Sequence, residues 1–135
     1  MSGKAMIYAE LDHYIVGDES ILFCPSPKNK FFEVVFEDDT VTAYFYGLDR
    51  SQSDNPILDG LHILNVDDVV DSHKASRVQI AWSSDGLKAL LLINDYPHAA
   101  FDFLNQRAYC RTGFPPNSRW SKDGVDWDDS VMDLF

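Results

Sequence analysis

Cysteine is almost absent from this chain, with only Cys24 and Cys110 in 135 residues. They sit far apart, with no CxxC pair and no adjoining histidine cluster, which excludes a disulfide-stapled scaffold and the common zinc signatures. Both read as buried thiols. Long apolar runs are missing too: no window approaches the roughly 18 apolar residues of a membrane span. The opening MSGKAMIYAELDHY has no apolar stretch of the secretory kind, so a cytoplasmic location is expected. The four histidines, His13, His62, His73 and His98, make no HxH or HxxxH pair, and GxSxG, P-loop, GxGxxG and HExxH strings are absent. No metal, cofactor or catalytic residue is therefore assigned. Basic residues are scarce, 11 Lys and Arg against 22 Asp and Glu, for a net charge of −11. That balance disfavours binding to nucleic-acid phosphates or to an anionic membrane, both of which need surface cations. It favours a cationic partner, whose approach such a field accelerates roughly 10- to 1000-fold at low salt.

What is present is enough for a core. The 18 Phe, Tyr and Trp residues exclude disorder, and the length suits a single globular domain over residues 1–135. Eighteen of the 22 acids are aspartate, the acid of turns, and short apolar runs alternate with turn residues along the chain. The pattern predicts a mainly β, β-rich α+β protein: an antiparallel sheet of consecutive hairpins with one or two short helices.

The run FFEVVFEDDTVTAYFY predicts a hairpin with a two-residue loop at Asp38 and Asp39, in which Phe36 faces Val41, Val34 faces Ala43 and Phe32 faces Phe45. Glu33, Val35, Glu37 and Tyr44 fall on the other side. Residues 77–93 predict a second hairpin turning at Asp85-Gly86, with Val78, Ile80 and Trp82 opposite Ile93, Leu91 and Ala89. Leu90 and Leu92 on its reverse suggest a strand covered on both faces. A third hairpin, from His98 to Arg111, sets Phe101 against Cys110 and Phe103 against Ala108. Keeping its apolar face continuous with the second hairpin requires an odd loop through Asp95, Tyr96 and Pro97, or a bulge. Residues 6–16 and 21–24 read as strands joined by a turn at 17–20, residues 61–66 as a strand, residues 51–60 as a polar loop, and residues 67–72 as a helical turn. The final WDDSVMDLF suits a short C-terminal helix packed on the sheet.

Cys110, His98 and Asp102 form the best nucleophilic constellation, but the strand register points Cys110 inward and the other two outward, which favours a structural thiol. The acids at 123–129 lack EF-hand spacing and read as a solvated loop. In CRTGFPPNSRW, Gly113, Pro115 and Pro116 stiffen a loop, Arg111 emerges beside Asp102 where a charge-assisted hydrogen bond would hold the sheet edge, and Trp120 suits packing over the end of the sheet.

The run from Phe31 to Asp49 with its EDD turn and YFYGLD end, followed by YPHAAFDF, YCRTGFPP, Trp120 and the WDD at 127–129, resembles a family of small uncharacterised bacterial proteins of unknown function. The resemblance covers most of residues 20–130. It implies a compact β-rich domain without a cofactor and carries over no catalytic residue.

The leading expectation is a non-enzymatic acidic binding protein, of the immunity or antitoxin kind, that neutralises a basic toxin domain by charge complementarity. Its candidate contacts are Glu37, Asp38 and Asp39 at the hairpin tip, Asp49 and Asp54 beyond it, and Trp127, Asp128 and Asp129. The alternative is a small ligand-binding or regulatory β module with a pocket of aromatic and polar groups. An enzyme ranks third.

Overall fold

The computed structural model describes residues 5–70, 73–111, 131, 132 and 135. It contains nine strands: β1 (Met6–Tyr14), β2 (Ser20–Pro25), β3 (Phe32–Asp38), β4 (Thr42–Asp49), β5 (Ile57–Asn65), β6 (Ser76–Trp82), β7 (Lys88–Ile93), β8 (Tyr96–Asp102) and β9 (Arg107–Cys110). A 3-10 turn spans Val66–Asp68, one position earlier than the turn expected from residue 67, and Val131 and Met132 are also in 3-10 conformation. The strands make two antiparallel sheets, ordered β1-β6-β7-β8-β9 and β2-β3-β4-β5. The consecutive hairpins are therefore divided between two layers, and β1 pairs with β6 far along the chain.

Alternation produces this architecture directly. Alternate residues of most strands are apolar and turn to one side, so stacking the two sheets buries Val78, Ile80, Trp82 and Leu91 of one against Val34, Phe36, Phe45 and Leu61 of the other. Tyr14 meets Phe36 edge-on at 5.3 Å, and Phe45 meets Phe101 at 5.1 Å, which locks the layers in one alignment. On the reverse of the five-stranded sheet, Ala81, Leu90 and Ala100 form a second cluster with Val131, so that sheet is covered on both faces. The expected C-terminal helix lies mostly outside the described residues.

The hairpin registers show which sequence signals held. Val78, Ile80 and Trp82 oppose Ile93, Leu91 and Ala89 as expected, around a loop in which Gly86 takes φ +70°. In β3–β4 the register differs: Phe36 lies opposite Phe45, and Asp38 opposite Ala43. The loop is longer than two residues because the Asp39 carboxylate accepts the N–H groups of Val41 and Thr42 while its own N–H donates to the Thr42 carbonyl, closing a turn with Thr40 at φ +82°. Phe36 thus slips four places along its partner strand. An even slip keeps every side chain on its face, so Val34, Phe36, Ala43 and Phe45 are buried as expected. Val41 alone leaves the core and stands 68% exposed on the turn.

The β7–β8 connection reconciles the parity conflict by a bulge. Asn94 and Asp95, both at positive φ, make a two-residue primed turn, and the pairing then shifts between Leu91 and Leu92, which returns Phe101 to the core face opposite Ala89. In β8–β9, Phe101 faces Ala108 rather than Cys110, because Asp102 holds a longer turn by accepting the N–H groups of Leu104 and Asn105. Residues 57–60, expected as loop, belong to β5. Neither cysteine forms a disulfide; Cys24 is buried and Cys110 half-buried.

Candidate functional site at the acidic end of the sandwich

Strand direction sorts the loops into two ends. The β1–β2 connection, the β3–β4 turn, the segment beginning at Val66 and the β7–β8 turn share one; the β2–β3, β4–β5, β6–β7 and β8–β9 connections share the other. At the first end the loops are stitched together. The N–H of Gly17 donates to Asp38 Oδ2 at 2.8 Å, the Val66 N–H donates to the Val41 carbonyl at 2.9 Å, and an added Cβ at Gly17, which sits at φ +93°, would approach Val66 Cγ1 to 3.0 Å. Asp38 also accepts the hydroxyl of Tyr14 through Oδ2 and the N–H of Thr40 through Oδ1. Burial, reinforced by the hydrogen bond to the Asp38 carboxylate and its charge, pushes the Tyr14 phenol well above its ordinary range, so it stays a donor.

This arrangement corrects one expected contact. Asp38 has no exposed surface. It cannot touch a partner; it braces the loops from beneath, because three donors converge on it from one strand and two turns. The surface above it is formed by Asp18, Glu19, Asp39, Asp67 and Asp68, all exposed. Hydrogen bonds from the Thr42 and Val41 amides hold the Asp39 carboxyl below the usual carboxylate range, so it remains charged.

Asp49 and Asp54 are placed differently from the hairpin tip. β4 runs from Thr42 to Asp49, and seven steps of ~3.3 Å put Asp49 more than ~20 Å from the turn. Cations accompany the acids at that end. Arg50 Nε donates to Glu33 Oε1 at 2.6 Å, Lys88 Nζ lies 3.3 Å from Asp85, and Lys28, Lys30 and Arg107 stand on the neighbouring loops. The connections of the first end carry Lys74 as their only lysine or arginine among the described residues, so the two ends differ in their balance of charge.

Glu37 sits at the corner where the acidic end meets the outer face of the four-stranded sheet. There Ile21, Glu37, Tyr44 and His62 lie across one row, and Phe23, Val35, Tyr46 and Gly60 across the next. Tyr44 stacks on His62 at 4.9 Å and on Tyr46 at 5.6 Å, while Gly60 leaves room for the Tyr46 ring, which lies 3.1 Å from where a Cβ would stand. Phe23 is 51% and Ile21 48% exposed. Burial, then Glu37, Tyr44 and Asp39, keep the Tyr46 phenol neutral. Sequence reasoning put Glu37 and Tyr44 on the wet side but missed that the sheet aligns their neighbours into an aromatic row.

The nucleophilic constellation is not assembled. Cys110 opposes Ala99 and directs its Sγ to the His62 carbonyl at 3.7 Å, and Asp102 is buried within its own turn. Arg111 does not engage Asp102 as expected: its Nε donates to the Pro97 carbonyl at 2.8 Å and its guanidinium lies 4.4 Å from the Tyr96 ring centre. Register explains the change, since β9 pairs Asp102 with Arg107 and leaves Arg111 at the far end of the strand. No cluster of three or more metal-ligating side chains occurs among the described residues. Trp120, Trp127, Asp128, Asp129 and the acidic run at 123–129 lie outside them. No helix among the described residues is long and apolar enough to cross a membrane.

A two-layer antiparallel β protein with unlike ends is the class that this fold and surface define. Residues 14–135 match a family of uncharacterized proteins conserved in bacteria (DUF2251), and the chain belongs to that family. It is also 40% identical over 127 residues to an uncharacterized protein of Haemophilus influenzae, spanning 91% of this chain and 79% of that one. No solved structure matches.

Proposed function

We propose that the protein is a non-enzymatic acidic binding protein that docks a cationic protein, in the manner of an immunity or antitoxin-like protein neutralising a basic toxin domain. The observation that carries the reading is the balance of charge: Asp18, Glu19, Asp39, Asp67 and Asp68 crowd one end, where Lys74 is the only lysine or arginine among the described residues of their connections, while the acids of the other end stand among Lys28, Lys30, Arg50, Lys88 and Arg107. A merely solubilising surface has no need of that asymmetry. The acidic end supplies attraction and orientation, and the adjoining Ile21, Phe23, Tyr44 and Tyr46 supply the apolar anchors that slow dissociation.

The test is binding of an arginine-rich peptide and of a basic toxin domain, followed by amide chemical shifts at rising salt. Shifts confined to residues 18–23, 37–46 and 65–68, with affinity falling steeply as salt rises, support the reading. Asp18→Asn, Asp39→Asn, Asp67→Asn and Asp68→Asn together should remove both the binding and any protection of cells expressing the toxin. Shifts spread over both ends, or binding indifferent to salt, would overturn it.

A further inference from the structure

A cavity of about 400 Å³ opens between the two layers beside β1, and its walls differ chemically from the rest of the surface. Val16, Leu64 and Ile93 give it an aliphatic wall; Lys74, Ser76 and His98 give it a polar one. In a chain with twice as many acids as cations, no aspartate or glutamate is found among the described residues that line it. We propose that this cavity binds a small amphiphile with a carboxylate head and an aliphatic body, the head held by Lys74 and the hydroxyl of Ser76 and the body lying against Val16, Leu64 and Ile93.

The volume falls within the range of small-ligand sites, and the division into an apolar body and a few convergent donors is the pattern of such sites. Burial, then the nearby Arg111, hold the His98 imidazole below its ordinary range, so at neutral pH it is a neutral hydrogen-bonding group beside the head rather than a second charge. Asn94 fixes the polar wall: its Nδ2 donates to Ser76 Oγ at 3.3 Å and its Oδ1 accepts the Arg77 N–H at 2.9 Å. Asp67 and Asp68, earlier on the connection that supplies Lys74, oppose an incoming anion through solvent, whereas Lys74 meets the head directly. Salt screens the distant repulsion more than the contact. Carboxylate binding here should therefore strengthen as salt rises, opposite to the docking of a cationic protein, so the two proposals fail separately.

The experiment compares octanoate, octanol and octylammonium by thermal shift and by amide chemical shifts on the full chain. Octanoate should raise the Tm and move the signals of residues 74–76 and 93–98, with octanol about tenfold weaker for want of the charge-assisted contact and octylammonium without effect. Lys74→Met, at an exposed position, should reduce octanoate to the affinity of octanol. Silence of those residues at millimolar octanoate overturns the site. Equal binding of octanol and octanoate, unchanged in Lys74→Met, overturns the carboxylate assignment.

Discussion

The β3–β4 and β8–β9 hairpins turn at opposite ends of the sandwich, and each finishes its first strand in a buried aspartate, Asp38 with 0% and Asp102 with 1% exposure. Locally the two do the same work: Asp38 accepts the N–H two residues on, and Asp102 accepts those two and three residues on, so each closes its turn. Their reach differs. Asp38 also takes the Tyr14 hydroxyl and the Gly17 amide from the other layer, across 24 and 21 positions of chain, whereas the remaining bond of Asp102 comes from the side chain of Asn105 in its own turn. The carboxylate of one turn is part of the join between the sheets; that of the other closes its own loop, which meets the opposite sheet through the stacking of Phe103 on Phe32. This explains how acidic loops can be crowded together at the first end without splaying apart: a buried carboxylate beneath them holds the backbone by hydrogen bonds that repulsion at the surface does not reach.

The comparison is broken most sharply by removing the two carboxylates. Asp38→Ala leaves the buried Tyr14 hydroxyl and two amides without their acceptor, and about 3 kcal/mol of stability should be lost in urea unfolding. Asp102→Ala should cost less, about 1–2 kcal/mol, because Leu104 and Asn105 are exposed and their N–H groups can turn to water. Equal losses would show that the cross-layer bonds of Asp38 add nothing. Neutralising Asp18, Asp39, Asp67 and Asp68 together should change stability by less than about 0.5 kcal/mol in either direction, since relief of repulsion offsets lost turn contacts, while it removes salt-dependent binding of a cationic peptide. Neutralising Asp49 and Asp54 at the other end should leave that binding intact.

The smallest effect is in acid titration. Asp39 is lowered by the Thr42 and Val41 amides and Asp49 by the Ser51 hydroxyl; for Asp85 burial opposes the shift, but hydrogen bonds from Ser83, Leu87 and Lys88 outweigh it. A carboxyl lowered in the folded state contributes stability above its unfolded pKa, about 3.9, and loses it as pH falls through the folded value. Stability should thus be flat from neutral pH to about 5 on this account and decline below about 4, and Asp39→Ala should narrow its difference from the parent protein as pH drops towards 2. A difference that persists at pH 2 would show that Asp39 acts through turn conformation rather than charge.

Legibility followed the range of the interaction. The β6–β7 hairpin was readable residue by residue because Asp85-Gly86 and the flanking alternation lie within a few positions of each other. The β3–β4 loop was misjudged, yet its faces were not, since a four-residue slip preserves parity. Asp38 was read as a contact because nothing near it in the chain announces burial; the groups that satisfy it come from β1 and the turn after it. The aromatic row was half visible, with Tyr44 on the wet side, but its alignment with Phe23 and His62 needs four strands side by side.

By itself the sequence determined the antiparallel strand character, most of the inward set of side chains, the surplus of acid and the need for either an odd loop or a bulge before Phe101, all consequences of alternation and turn chemistry that act over a few residues. Only the tertiary structure decided that β1 joins β6, that Asp38 is interior, that acids outnumber cations more heavily on the loops of one end than of the other, and that a cavity with no carboxylate among its described lining residues opens between the layers. Those features depend on which faces stack and which loops meet, and packing settles that between residues tens of positions apart.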